Sequence, residues 1–340
     1  MRYLIIGAGA VGGTIGGRLA ESGHDVVLVA RGAQLAALQT HGLRLVTPTG
    51  VVTQPLPAVS GPAALGELRP DDVLVLTVKS QDTAAAVTEW AAAPVAGGGT
   101  AAERLPIVCA QNGVDNERTA ARLFDRVYGL CVWLPATHLE PGTVVSHTAP
   151  LSGILVVGRY PHGIDPTIER IGADLSRSVF DAPVVADVMR WKYGKLLKNL
   201  ANALDALLGH TSARYGPAVA DLRQAAQAEG EAVLAAAGIA YNSEDERRAL
   251  QGDRMEIRDI PGVSRSGGST WQSLTRGTGS VEADYLNGEI ALLGRLHGVP
   301  TPVNVLLQRL VSAAARNRQA PGDLPAEQLD ALLNAVPSRR

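Results

Sequence analysis

MRYLIIGAGAVGGTIGGRLAESGHDVVLVA, residues Met1 to Ala30, sets two short apolar runs on either side of a glycine-rich turn. Tyr3 to Ile6 is apolar and ends on glycine, GAGAVG occupies Gly7 to Gly12, and a helical pattern continues through Leu19. That order predicts strand, tight turn and helix. The spacing has a mechanical reason: Gly7 allows the turn, Gly9 lets the backbone approach a pyrophosphate, and Gly12 lets helix and strand pack closely. A phosphate then meets the free N–H groups and the positive dipole end of the helix, so Gly7, Gly9, Ala10, Val11 and Gly12 are the expected cofactor-binding residues. Such a pattern also arises by chance in a chain this rich in alanine and glycine. Asp25 to Ala30, DVVLVA, supplies the context, a second buried-type strand at the distance that completes a Rossmann βαβ unit.

The residue after that second strand bears on the cofactor. An NAD site usually places Asp or Glu there to accept from the ribose 2′-hydroxyl, whereas this chain has Arg31. A guanidinium fork suits a 2′-phosphate, which predicts NADP (as NADPH) over NAD; an ordinary solvated loop arginine is the plain alternative. Asp72 to Val78, DVLVLTV, reads as a further parallel strand with Lys79 at its carboxyl end. Pro106 to Ala110 reads as the next, running into Gln111, Asn112 and Gly113. Ligands of open α/β sheets bind outside the carboxyl ends of the strands, so Lys79 and Asn112 are candidates for cofactor or substrate contact. A loop lysine and an Asn-Gly turn former account for them equally well.

Composition narrows the classes. At 340 residues the chain is long enough for two domains. With 31 basic against 33 acidic residues it offers no electrostatic footprint for nucleic acid or an anionic membrane. Cys109 and Cys131 lie in apolar runs without metal-ligand spacing and read as buried, reduced thiols of a cytoplasmic protein. No His/Cys cluster offers a metal site. The apolar start resembles a signal peptide only until its glycines break it. No stretch reaches the roughly 20 apolar residues of a membrane span.

Leu43 to Val59 alternates and carries Pro48, Gly50 and Pro55, a hairpin insertion without evident chemistry. Val127 to Arg159 reads as strands joined by turns, with His138 and His147 as surface or edge histidines around the turn Glu140 to Thr143. A helix over Pro166 to Ser178 and a strand over Phe180 to Val185 close an α/β domain, residues 1–186. From Asp187 strand signals vanish, and helical patterns run through Val188–Leu208, Ala218–Ala237, Ser243–Arg258, Ser280–His297 and Val303–Asn317. The second domain, 187–320, is therefore expected to be all-α, with 321–340 a frayed tail. Its Gly/Ser/Thr-rich stretch Pro261 to Gly279 leads into a strong helical pattern opened by Ser280 as N-cap and reads as a binding loop. In WKYGKLLKNLAN, Trp191 to Asn202, Lys195 and Asn199 fall four residues apart and share one helical face. A proton donor beside a polar orienting group suits a carbonyl; a solvated helical face is the alternative.

These pieces in this order resemble the ketopantoate reductase (2-dehydropantoate 2-reductase) family. The matching stretches are GAGAVG at Gly7, Arg31, VKS at Val78, QNGV at Gln111, KLLKN at Lys195, VEADYLNGEI at Val281 and GVPTPVN at Gly298. The resemblance implies a Rossmann domain followed by a helical domain of the type shared with 6-phosphogluconate dehydrogenase, and NADPH-dependent reduction of ketopantoate, a step of pantothenate biosynthesis. It puts Lys195 at the family's catalytic lysine, Asn112 and Asn199 at its substrate-orienting asparagines, and Lys79 at its lysine near cofactor and substrate. Glu282 matches its glutamate, which accepts from a substrate hydroxyl or fixes Lys195. Ser269 is the candidate for the substrate carboxylate. In this reading Lys195 protonates the developing alkoxide, an ammonium of pKa about 10.4 when free serving as the acid.

The chain departs from the family at Ala203, where a second asparagine is usual and Asn202 stands one place earlier. It departs again at Ser269 to Ser273, in a loop that runs longer before Glu282. Those positions read the substrate, so a reductase of another ketone or 2-oxo acid stays open beside ketopantoate. So does a non-enzymatic NADP-binding sensor. Helical second domains of this type often bury a partner surface, which leaves room for a homodimer.

Overall fold

The structure, a computed structural model, describes residues 1–209, 216–263 and 267–333. Residues 264–266 of the expected binding loop and the tail end, 334–340, lie outside the described residues. Contacts divide the chain into two units, residues 1–192 with 243–265, and residues 193–242 with 266–340. The sequence reading put a single break at residue 186; the division found lies six residues later, and the segment 243–265 belongs with the first unit.

The first unit is built on an eight-stranded sheet. Its strands in spatial order are Phe180–Asp181, Gly153–Arg159, Val127–Trp133, Ile107–Cys109, Asp72–Leu76, Arg2–Ile6, Asp25–Val29 and Ala58–Val59. All neighbours pair in parallel except Gly153–Arg159 against Val127–Trp133. Past their first residues, Arg2, Asp25 and Asp72, the central strands are apolar because both faces are covered. Tyr3, Ile5, Leu28 and Val108 pack into the core on one face, and Leu4, Ile6, Leu74 and Trp90 into that on the other.

The glycine turn sits where the strand Arg2–Ile6 passes into the helix Ala10–Glu21. Gly7 has φ +111°, which favours glycine, and a Cβ there would lie 2.7 Å from the Val78 amide nitrogen. At Gly12 a Cβ would stand 2.3 Å from the Gly7 carbonyl oxygen and 2.4 Å from Thr77 Oγ1, so helix and strands meet at backbone distance.

The hairpin expected at Leu43 is present, Leu43–Thr47 against Gly50–Gln54, inside a separate four-stranded sheet with Thr143–Ser146 and Ala136–Thr137. Val144 of that sheet packs on the helix Ala10–Glu21 where Gly13 leaves room. Two expectations fail in this unit. His147 is buried, not at the surface, and shares a 2.5 Å hydrogen bond with Thr137 Oγ1. The helix expected over Ser243–Arg258 ends at Gln251, and Met255–Ile257 forms a strand antiparallel to Thr148–Pro150. Gly252, at φ +49°, ends the helix, and the ladder to Thr148–Pro150 then satisfies backbone groups that a helix would have kept.

In the second unit the described elements are helical. The pattern over Val188–Leu208 divides into Val188–Asn199 and Ala201–Leu208, and the Leu200 carbonyl between them accepts from Asn287 Nδ2 at 3.0 Å. Asn287 also donates to Asn304 Oδ1, and Asn304 donates to the Ala226 carbonyl and to Glu229. Glu229 in turn accepts from the Val303 and Asn304 amides at the start of the helix Pro302–Arg316. The helix expected from Ser280 begins at Asn287 instead. Glu282–Tyr285 is a 3-10 turn, and Leu286, at φ −115° and ψ −91°, breaks the two apart, so Ser280 is not the N-cap. No helix among the described residues is long and apolar enough to cross a membrane.

Gly12→Ala puts a methyl against the Gly7 carbonyl oxygen, which cannot step aside, and against the hydrogen-bonded Thr77 hydroxyl. We expect it to cost about 1–3 kcal/mol, read as a lowered thermal midpoint, whereas Gly23→Ala, in open space though at positive φ, should cost less. Equal midpoints for Gly12→Ala and the parent would remove the close-approach account.

Candidate functional site

Four of the expected contact segments leave the sheet at one rim. In spatial order they are Asn112 after Ile107–Cys109, Lys79 after Asp72–Leu76, the glycine turn after Arg2–Ile6, and Arg31 after Asp25–Val29. The parallel register makes this so, because strands of like direction end on the same side.

The glycine turn leaves the N-terminus of its helix open. No side chain caps the helix Ala10–Glu21, and no acidic residue stands in its first turn, so its leading N–H groups and dipole are available to an anion. Around a Cβ placed on Gly9 the nearest contact is His138 Cδ2 at 4.0 Å, which leaves the backbone open there. Thr77 Oγ1 donates to the Gly7 carbonyl at 2.7 Å and ties the turn to the neighbouring strand exit. Gln34 ties its other side, donating to the Ala8 carbonyl at 2.6 Å and accepting from the Gly142 amide at 2.7 Å.

The Lys79 and Asn112 loops are held by a buried asparagine that sequence reasoning passed over. Asn116 Nδ2 donates to the Asn112 carbonyl at 2.9 Å and to Ser80 Oγ at 3.3 Å, while its Oδ1 accepts from Thr83 Oγ1 at 2.7 Å. Gln111 Nε2 closes the set on Thr83 Oγ1 at 3.0 Å. Gln111 Oε1 is buried with no hydrogen-bond partner among the described residues. Arg31 stands just before the helix Gly32–His41 and donates to Glu89 Oε2 at 2.7 Å.

Beneath this rim lies a buried ion pair that was also missed. Lys192 Nζ bonds Glu117 Oε1 and approaches the Cys109 carbonyl at 3.5 Å, and both side chains are almost wholly buried. Burial pushes the Glu117 carboxyl above its usual range against the pull of the Lys192 ammonium, and Glu117 Oε2 has no hydrogen-bond partner among the described residues. Burial also pushes the Cys109 thiol well up, as suits a structural cysteine. Lys192 lies three residues before Lys195 on the same helix; nothing in the spacing separates a core lysine from its neighbours.

In the helical unit Lys195 and Asn199 share the helix Val188–Asn199, as their spacing predicted. Asn199 Nδ2 is buried with no hydrogen-bond partner among the described residues. Ser269 opens the short helix Ser269–Thr275, and Asn202 lies 3.6 Å from where a Gly268 Cβ would stand. Ala203 is turned into the core at 2% exposure. Glu282 is buried in its 3-10 turn. Among the described residues no group of three or more His, Cys, Asp or Glu is placed to hold a metal ion.

Comparison with known proteins covers both halves of the chain. Residues 3–162 match the family model described as ketopantoate reductase PanE/ApbA, and residues 187–315 match that of its C-terminal part. A 2-dehydropantoate 2-reductase of Pyrococcus horikoshii is 27% identical over 322 residues, spanning 92% of this chain and 97% of the relative. The crystal structure of a PanE/ApbA family ketopantoate reductase from Ralstonia eutropha superposes with a TM-score of 0.76 at 29% identity, covering 94% of this chain and 99% of that one. A D-mandelate dehydrogenase solved with NADH and anilino(oxo)acetate shares the fold at a TM-score of 0.77 and 21% identity, with coverage of 94% and 99%.

Lys192→Met strands the Glu117 carboxyl in the core, at an expected cost of about 3–5 kcal/mol near neutral pH. The stranded carboxyl keeps its proton when folded but loses it when unfolded above the ordinary value of 4.5. The variant's stability should therefore fall as pH rises from about 4.5, and Glu117→Gln in the same chain should flatten that slope. Denaturant melts across pH test this; a slope indifferent to Glu117→Gln would refute the account.

Proposed function

This chain belongs to the ketopantoate reductase PanE/ApbA family, and from that premise we propose that it reduces a small 2-oxo acid, ketopantoate first among them, to the 2-hydroxy acid with NADPH. The observation that carries the reading is that the family match extends over both the glycine-turn half and the half holding Lys195, Asn199 and Glu282. An oxidoreductase with this Rossmann sheet uses a nicotinamide cofactor; the choice of NADP rests on Arg31. When bound, that cofactor supplies a hydride equivalent to the ketone carbon.

The chain's own residues do the rest. The amides of Ala10, Val11 and Gly12 bind the pyrophosphate, with Gly7 and Gly9 giving the turn its shape, and Arg31 takes the 2′-phosphate. Lys79 and Asn112, held by the Asn116 bonds, orient cofactor and substrate at the rim. Lys195, as ammonium, gives its proton to the oxygen of the developing alkoxide, so that hydride and proton together convert the ketone to the alcohol. Asn199 spends its unmatched Nδ2 donor on the substrate. Glu282 accepts from a substrate hydroxyl or steadies the Lys195 ammonium, and Ser269 takes the carboxylate. Orientation of this kind supplies roughly 7–11 kcal/mol of barrier reduction in favourable cases.

One observation favours a second reading, reduction of a related 2-oxo acid in place of ketopantoate. Ala203, where the family pattern carries an asparagine, is apolar core in this chain and offers the substrate no hydrogen bond. Cytoplasmic residence, expected from two free buried cysteines, and a homodimer belong to the same proposal.

Lys195→Ala should lower kcat by about a hundredfold or more in an assay of NADPH oxidation, with NADP+ affinity by calorimetry unchanged. A loss below about tenfold would remove Lys195 as the acid. Running the parent across ketopantoate and a panel of other 2-oxo acids ranks the substrates by kcat/KM; inactivity on all of them would overturn the reductase reading.

A further inference from the structure

We propose that Glu89 sets the cofactor preference of this site, weakening its selection for a 2′-phosphate over a 2′-hydroxyl through its hold on Arg31. The inference rests on the reading of Arg31 as the residue beside the adenosine ribose. Three segments converge at that point. Arg31 follows the strand Asp25–Val29. The edge strand Ala58–Val59 runs parallel to it with Val29 opposite Val59, so Ser60 and Gly61 leave the sheet at the same end. Glu89, on the helix Thr83–Ala91, reaches both exits: its Oε2 accepts from Arg31 Nη2 at 2.7 Å, and its Oε1 lies over Gly61. A Cβ on Gly61 would come within 2.5 Å of that oxygen, so glycine is what lets the carboxylate rest there.

The chemistry follows from what the guanidinium is asked to bind. A 2′-phosphate takes two parallel N–H donors of the fork and brings its negative charge with it. Glu89 already engages one terminal nitrogen of that fork, and its carboxylate repels a phosphate brought to the same group. A 2′-hydroxyl is neutral and donates to a carboxylate. The pair therefore weakens, without reversing, the preference for NADP that Arg31 alone would give. Both side chains are solvent-exposed, Arg31 at 74% and Glu89 at 38%, so water and salt screen the effect to a modest size.

The test is calorimetric binding of NADP+ and NAD+ to the full chain in four forms: the parent, Glu89→Gln, Arg31→Ala and the double variant. Glu89→Gln keeps the side chain's shape and removes its charge. It should raise the ratio of NAD+ to NADP+ dissociation constants by about two- to fivefold, with the gain shrinking as salt rises. Arg31→Ala should lower the ratio towards unity, and adding Glu89→Gln to it should change nothing further. If Arg31→Ala lowers the ratio but Glu89→Gln leaves it unchanged, the role of Glu89 is overturned while Arg31 keeps its own. If Arg31→Ala has no effect, both fall. A rise on Glu89→Gln that persists without Arg31 overturns the proposed route through the guanidinium.

Discussion

Backbone meets backbone at the glycine turn, and the rest of the first unit is arranged around that contact. The Gly7 carbonyl and Thr77 Oγ1 fill the space where a side chain at residue 12 would begin. Because the helix Ala10–Glu21 is drawn onto the strand ends this closely, its N-terminus opens at the same edge as the neighbouring strand exits. A longer approach would move the helix dipole away from that edge, and its free amides would be spent on water. One steric requirement thus sets both the packing of the sheet and the place where an anion can bind.

Buried polar groups then determine which loop goes where. Asn116 fixes the Asn112 and Ser80 loops to each other through hydrogen bonds in an interior where an unmade bond is costly. Lys192 and Glu117 do the same for the N-terminal part of the helix Val188–Asn199, since neither charge tolerates the core without the other. In the helical unit Asn287, Asn304 and Glu229 take up backbone groups at a helix junction and a helix start. The family stretches VEADYLNGEI and GVPTPVN therefore include residues whose visible work is architectural. Asn287 is one of them, by its hydrogen bonds to the Leu200 carbonyl and Asn304.

Much of this was legible because it depends on local rules. The strand, turn and helix at Gly7, the helix shared by Lys195 and Asn199, and the strand exits at Lys79 and Asn112 follow from periodicity and from the direction of parallel strands. What was misread depends on distant partners. Ser280 looked like an N-cap by composition, but the break at Leu286 moved the helix start to Asn287. The pattern over Ser243–Arg258 counted as helix throughout, and the pairing partner that turns Met255–Ile257 into a strand lies about a hundred residues earlier, at Thr148–Pro150. His147 looked like an edge residue until Thr137 took its ring nitrogen in the interior.

By itself the sequence determined the fold class, the glycine turn and the strand exits that carry Lys79 and Asn112, because glycine spacing and apolar periodicity act within a few residues of themselves, whereas the order of those exits along the rim came from the strand pairing. Only the tertiary structure decided which of the chemically similar residues are structural. Lys192 and Lys195 are one helical turn apart and alike in sequence, and only folding brings Glu117 to Lys192. Arg31 reads as a lone phosphate fork until Glu89 is brought to it across 58 residues of chain. A side chain's charge is written in the sequence, whereas the partner that neutralises or redirects that charge is set by folding, since electrostatic strength depends on distance and burial that no local pattern encodes.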